Sequence, residues 1–284
     1  MLSYDVHQHL WPEALIEALR ARSERPRIRD SVLELPSGDW DVDLAAHSLE
    51  ARLELLDRDE IDVALISCPP TLELDEELAE AYHEGIAELV AAADGRLRAL
   101  ACGSPRDGFV GVCVPAWSLA GLVELEPLLA ELDRRGTFLF VHPGPAAVPP
   151  GLPDWWPAVV DYTAQMQAAY AAWLALYTDR WPELRVVFAI LAGGAPIQLE
   201  RLASRGVDTR SVLRPNVFLD TASYGERALE LALATYGVAQ LVYGSDAPVI
   251  DSDQTLRSVR SFGQAVEDVV CRDNPARLLQ PSTA

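Results

Sequence analysis

MLSYDVHQHLWP, residues 1–12, sets an apolar approach (Leu2, Tyr4, Val6) against a stop at Pro12 and carries Asp5, His7 and His9 between them. The alternation predicts a short first strand. Residues two apart on a strand project to one face, so both imidazoles point the same way. Two convergent imidazoles are half of a divalent-metal site. A solvated pair near the start of the chain is the competing reading, and further ligands downstream decide between the two.

Outward from this strand, the chain repeats one unit. Arg20 to Asp43 is polar and reads as a loop over the strand end. Ala45 to Asp59 has helical spacing, with Leu49, Leu53 and Leu56 on one stripe. Asp62 to Cys68 is an apolar strand stopped by Pro69 and Pro70, and Leu74 to Ala93 is a long helix ended at Asp94-Gly95. Leu97 to Gly103 and Phe109 to Pro115 read as strands, Leu125 to Arg135 as a helix closed by Gly136, and Thr137 to Val141 as a buried strand running into His142-Pro143-Gly144.

Pro145 to Pro157 is a large loop rich in Pro, Gly and Trp. Ala158 to Tyr177 reads as a helix, Arg185 to Leu191 as a strand, and Gly193-Gly194 as a turn into a helix through Leu202. Val217 to Ala222, Glu226 to Tyr236, Leu241 to Gly244 and Asp251 to Val269 continue strand, helix, strand, helix. About eight strand-then-helix units, each strand apolar on both faces, are the pattern of a (β/α)8 TIM barrel, whose usual size is ~250 residues. The expectation is one α/β domain over residues 1–284, with loop insertions after strands 1 and 5. An open doubly wound sheet is the competitor; it calls for a Gly-rich phosphate turn after the first strand, where this chain has His-Gln-His.

Composition narrows the function. The formal net charge of -20 repels nucleic acid and anionic lipid, so neither is expected as a partner. No membrane-spanning run or leader pattern is visible, and a soluble cytoplasmic protein is expected. All 23 basic residues are arginine. The lack of lysine removes a Walker A loop, a Schiff base and a carbamylated lysine bridging two metals. Cys68, Cys102, Cys113 and Cys271 lack C-x-x-C spacing and read as buried free thiols.

In a barrel, residues at the C-terminal ends of different strands meet in one mouth. His7 and His9 close the first strand, His142 the fifth and Asp246 the eighth. Three imidazoles and a carboxylate suit one Zn2+ ion, with Mn2+ as an alternative, and leave room for water. Asp5 is placed behind them, to orient one imidazole through its other nitrogen. His47 and His83 fall on predicted helices and read as surface residues.

With these residues in view, the sequence resembles the amidohydrolase superfamily, in the branch of aminocarboxymuconate-semialdehyde decarboxylase and related decarboxylases and hydrolases. Asp5-x-His7-x-His9, FLFVHPG around His142, Gly193-Gly194-Ala195-Pro196, YGSDAPV around Asp246 and the closing Asn274 to Leu279 carry the resemblance. It implies a barrel with one divalent metal held by His7, His9, His142 and Asp246. It also implies a histidine at the end of the sixth strand that helps activate the metal-bound water; in VVFAILAGGAP that place is Ile190.

The expected chemistry is metal-assisted hydrolysis or non-oxidative decarboxylation of a small aromatic or unsaturated carboxylate, with Asp246 handling the proton. Trp11, Trp117, Trp155, Trp156 and Tyr224 follow strands and are candidate walls for a planar substrate, and Arg106 is a candidate for its carboxylate. Two alternatives follow from Ile190: a metal-independent lactonase of the same superfamily, and a catalytically silent barrel that binds a metal or ligand. A homodimer is compatible with the Leu- and Ala-rich helices.

Overall fold

The computed structural model describes residues 1–120 and 122–280. Eight parallel strands form one sheet in chain order: β1 (Tyr4–His9), β2 (Val63–Ser67), β3 (Leu97–Cys102), β4 (Gly111–Pro115), β5 (Phe138–His142), β6 (Val186–Phe188), β7 (Val217–Asp220) and β8 (Leu241–Val242). The sheet closes on itself. Val6 N–H donates to Tyr243 O, Asp246 N–H to His7 O and His9 N–H to Ala247 O, each at 2.8 Å. Closure gives the (β/α)8 barrel that the repeating units predict, and it removes the sheet edges.

Helices α1 (Glu13–Ala21), α2 (Leu49–Asp59), α3 (Glu76–Ala92), α4 (Leu122–Arg135), α5 (Tyr162–Ala172), α6 (Glu226–Tyr236) and α7 (Ser252–Arg260) follow or bridge these strands. Ser48, Asp75 and Asp251 cap α2, α3 and α7 by accepting from backbone N–H groups. The core lies in and around the strands, with Val6, Leu65, Ile66, Leu100, Phe140, Phe188, Phe218 and Val242 all buried. Gly111 is dictated by closeness: a Cβ there would sit 2.6 Å from Phe138 O on the neighbouring strand. No helix among the described residues is long and apolar enough to cross a membrane.

Three local expectations change. The polar stretch after α1 is not an irregular loop but a small antiparallel sheet of Arg27–Arg29, Val32–Leu35 and Gly38–Asp41. Ile28, Leu33 and Leu35 are buried beneath it, and Arg27 pairs across strands with Glu34 at 2.7 Å. Interleaved arginines and acids hide that alternation from a reading of polarity alone. His47 and His83 are buried rather than on the surface: each ring accepts a backbone N–H, His47 Nδ1 from Trp11 at 3.1 Å and His83 Nε2 from Cys102 at 2.9 Å. The closing helix divides at Gly263, whose φ of 90° stops one helix before the next begins.

The sixth strand is shorter than its apolar run suggests. After Phe188 the chain enters a left-handed turn in which Ile190, Leu191, Ala192, Gly193 and Gly194 have φ of 48°, 49°, 50°, 66° and 83°. Only the two glycines take this conformation freely; each of the other three costs about 1–2 kcal/mol. The turn is held from outside, because Asp220 Oδ1 accepts from Ile190 N–H at 2.8 Å and Gln167 Nε2 donates to Gly193 O at 2.6 Å. Strain retained in this way clusters at sites where geometry matters.

Candidate active site

The end of β1 places His7 and His9 in the barrel mouth, 3.2 Å apart at their Nε2 atoms. Asp246, in the turn after β8 with a φ of 66°, brings Oδ1 to 3.1 Å from His9 Nε2 and 3.5 Å from His7 Nε2. His142, the last residue of β5, completes the group, with its ring centroid 5.1 Å from that of His7 and 5.2 Å from that of His9. One ligand atom from each of the four lies within 4.8 Å of the others.

What fixes the rings is the acceptor behind each one. His7 Nδ1 meets Asp220 Oδ2 at 2.8 Å, His9 Nδ1 meets Ser67 O at 2.9 Å, and His142 Nδ1 meets Pro143 O at 2.9 Å. Carboxylate and carbonyl oxygens only accept, so each Nδ1 carries a proton and each ring, when neutral, presents an Nε2 lone pair. With the rings neutral, lone pairs 3.2 Å apart that face a carboxylate oxygen repel, and either a proton on one Nε2 or a metal ion between them relieves this. Bond lengths of about 2.0–2.1 Å around a tetrahedral ion give ligand separations of about 3.3 Å. The cluster therefore fits a single divalent ion, in both donor chemistry and spacing.

Charge follows from the same contacts. Burial opposes a proton on His7, yet Asp220, Asp246 and Asp5 outweigh it and hold the imidazole up at about 9. Burial, with His7 and His9 adding to it, pushes His142 well below the ordinary histidine range. Burial works against the charge on Asp246 too, but His7, His9 and His142 keep its carboxyl below the usual range. Asp246 is the one member of the four that is not buried, so it faces the mouth.

The expected role of Asp5 is corrected. Its carboxylate accepts from His7 N–H at 3.1 Å, Gln8 Nε2 at 2.7 Å and Ser245 N–H at 3.0 Å, and touches no imidazole nitrogen. Burial raises it to about 6 against those hydrogen bonds. It ties β1 to the turn after β8. The imidazole-orienting carboxylate is Asp220, fully buried at the end of β7, which the sequence reading missed. The signal was available: VFLD ends an apolar strand on an acid, just as the ligand strands end on His or precede Asp.

The other candidates scatter. Trp11 is buried and stacks on His47, with centroids 4.2 Å apart. Arg106 is already matched by both oxygens of Glu80. It borders a cavity of about 610 Å3 that Trp117, Cys68, Cys102 and Cys113 also line. Cys102 is only partly buried, unlike the other three thiols. Trp155 is exposed beside Trp156, and Tyr224 is half-buried at the left-handed turn. No polar side chain stands at Ile190.

Gly244 forms the wall between His7 and Asp220, since a Cβ there would lie 2.7 Å from the His7 Cβ and 3.1 Å from the Asp220 Cβ and Cγ. Gly244→Ala is expected to push the pair apart and lower stability by about 1–3 kcal/mol. Chemical denaturation measures the loss; an unchanged midpoint contradicts the close packing.

Comparison with known proteins identifies the family. The amidohydrolase family model matches residues 4–280. A 2-amino-3-carboxymuconate-6-semialdehyde decarboxylase of Dictyostelium discoideum is 22% identical over 291 residues, covering 87% of this chain and 78% of that protein. Among solved structures, apo IDCase of Metarhizium anisopliae superposes with a TM-score of 0.79 at 22% identity, over 98% of this chain and 97% of the other. A 5-carboxyvanillate decarboxylase of Novosphingobium aromaticivorans, complexed with manganese and 4-hydroxy-3-methoxy-5-nitrobenzoic acid, gives 0.70 at 15% identity, over 98% and 97%. At these identities the superpositions speak for the fold, and the family match extends over nearly all of β1 to the closing helix: the chain belongs to the amidohydrolase family.

Proposed function

We propose that this protein is a metal-dependent carboxy-lyase acting on a small aromatic or unsaturated carboxylate. The observation that carries the reading is the convergence of three Nδ1-protonated imidazoles on the mouth-facing carboxylate of Asp246. Decarboxylation is favoured over hydrolysis by similarity, since a curated relative and the manganese-bound neighbour are decarboxylases. His7, His9, His142 and Asp246 would hold the ion, with Zn2+ and Mn2+ as the candidates. When bound, the ion supplies a positive centre that polarises the substrate and neutralises charge.

The chain's own residues do the rest. Decarboxylation breaks the carbon–carboxylate bond, releases CO2 and places a proton on the carbon left behind. Asp246, held ionised by three imidazoles, can take a proton and return it, and it alone of the four faces the mouth. Asp220, Ser67 and Pro143 keep the imidazoles from turning. The strand ends that carry these groups are buried.

Three outcomes test this reading. CO2 release from a panel of aromatic carboxylates is expected to vanish on chelation and return with Mn2+ or Zn2+, and to fall at least a hundredfold in Asp246→Asn and His142→Ala. Asp220→Asn is expected to weaken metal binding about ten- to hundredfold in chelator competition, with little change in fold. Below pH 9 the ion must displace the His7 proton, so apparent affinity should climb about tenfold per pH unit from 7 to 9 and level off above. A flat profile removes the inferred His7 charge.

A second reading, a lactonase that works without metal, is favoured by one observation: Ile190 leaves the sixth strand end with no proton-handling group. Lactone hydrolysis that persists after exhaustive chelation supports it and sinks the first. A gain of turnover in Ile190→His, in the metal-loaded protein, supports the first.

A further inference from the structure

Helix α5 is fastened across the exits of two barrel strands. At one side Gly144 N–H, two residues beyond His142, donates to Gln165 Oε1 at 2.7 Å. On the other, Gln167 Nε2 donates to Gly193 O at 2.6 Å, and the backbones touch: a Cβ on Gly193 would lie 2.2 Å from Thr163 O. The left-handed turn is what permits this approach, because Gly193 has no side chain at the contact and a φ of 66°. Tyr162, the first residue of α5, is thereby held between the β5 exit that carries His142 and the turn after β6, next to the Thr163 carbonyl that touches Gly193.

The Tyr162 ring is partly buried against the core, and its hydroxyl has no protein hydrogen-bond partner among the described residues and is not sealed from open space. Burial and the nearby charges of Asp246 and Asp161 push this phenol up to about 12, so it stays a donor at neutral pH. A second phenol stands across the turn: Tyr224 Oη lies 3.9 Å from where a Cβ on Gly194 would be, also without a protein partner among the described residues. The α5 clamp thus holds a residue with an unspent O–H donor at the rim between the exits of β5 and β6.

We propose that Tyr162 recognises the carboxylate of a planar aromatic acid at the mouth of this site, donating its phenolic hydrogen bond from the β6 side, with Tyr224 as the outer donor. An acid group beside the Asp246 carboxylate needs such a donor, since like charges otherwise repel. The inference rests on the carboxylate-substrate reading above and adds the residue that reads the acid.

Calorimetric titration of the manganese-loaded protein with 4-hydroxy-3-methoxy-5-nitrobenzoic acid, and with the same phenol lacking the carboxyl group, tests it. Tyr162→Phe is expected to weaken the acid ten- to hundredfold, as for loss of a hydrogen bond to a charged group, while leaving the decarboxylated phenol and the manganese content unchanged. Tyr224→Phe should weaken the acid less. Equal binding of the acid by wild type and Tyr162→Phe overturns the proposal and leaves the carboxy-lyase reading standing; equal weakening of both compounds overturns it in favour of a packing role. If wild type binds neither this acid nor 2,6-dihydroxybenzoate, the aromatic-acid reading and this proposal fall together.

Discussion

The arrangement of this protein depends on three buried imidazole rings being aimed at one point. Isolated histidines would rotate or protonate to escape one another. Here Asp220, Ser67 and Pro143 each accept a hydrogen bond from an Nδ1–H, which fixes the orientation of the rings. Barrel closure supplies those acceptors, because β1, β2, β5 and β7 are far apart in sequence and converge at one end of the sheet.

Asp220 joins two features that would otherwise seem unrelated. One carboxylate oxygen holds His7, and the other accepts from Ile190 N–H and Ala222 N–H, at 2.8 Å and 3.1 Å. The same residue therefore orients a ligand and steadies a left-handed turn containing a β-branched residue. The turn in turn gives α5 its seat. A chain of contacts from β7 through the turn to Thr163 thus links the ligand-orienting carboxylate to the start of α5, and each link is a hydrogen bond or a backbone contact.

The periphery shows what polar composition conceals. His47 and His83 serve as buried acceptors for backbone N–H groups, and burial, with Arg52 and His9 nearby, pushes His47 down to about 3. Arg52 is itself buried, donating to Gln8 Oε1 at 2.7 Å and His9 O at 2.8 Å, so it braces the ligand strand from behind. A histidine on a helix and an arginine in a Leu-rich stripe look like surface residues until the fold shows which backbone groups lack partners.

The sequence alone determined the barrel, the eight strand positions and the gathering of His7, His9, His142 and Asp246, since apolar runs and strand-end residues are local signals and the barrel topology brings strand ends together. The order of helices was equally legible, as Glu226–Tyr236 shows by matching its expected span. Only the tertiary structure decided that Asp220 rather than Asp5 orients His7, that the sixth strand ends early in a left-handed turn, and that the start of α5 packs on that turn. Those outcomes depend on which donor and acceptor meet across strands and on close backbone approach, and neither leaves a periodic trace in the order of residues.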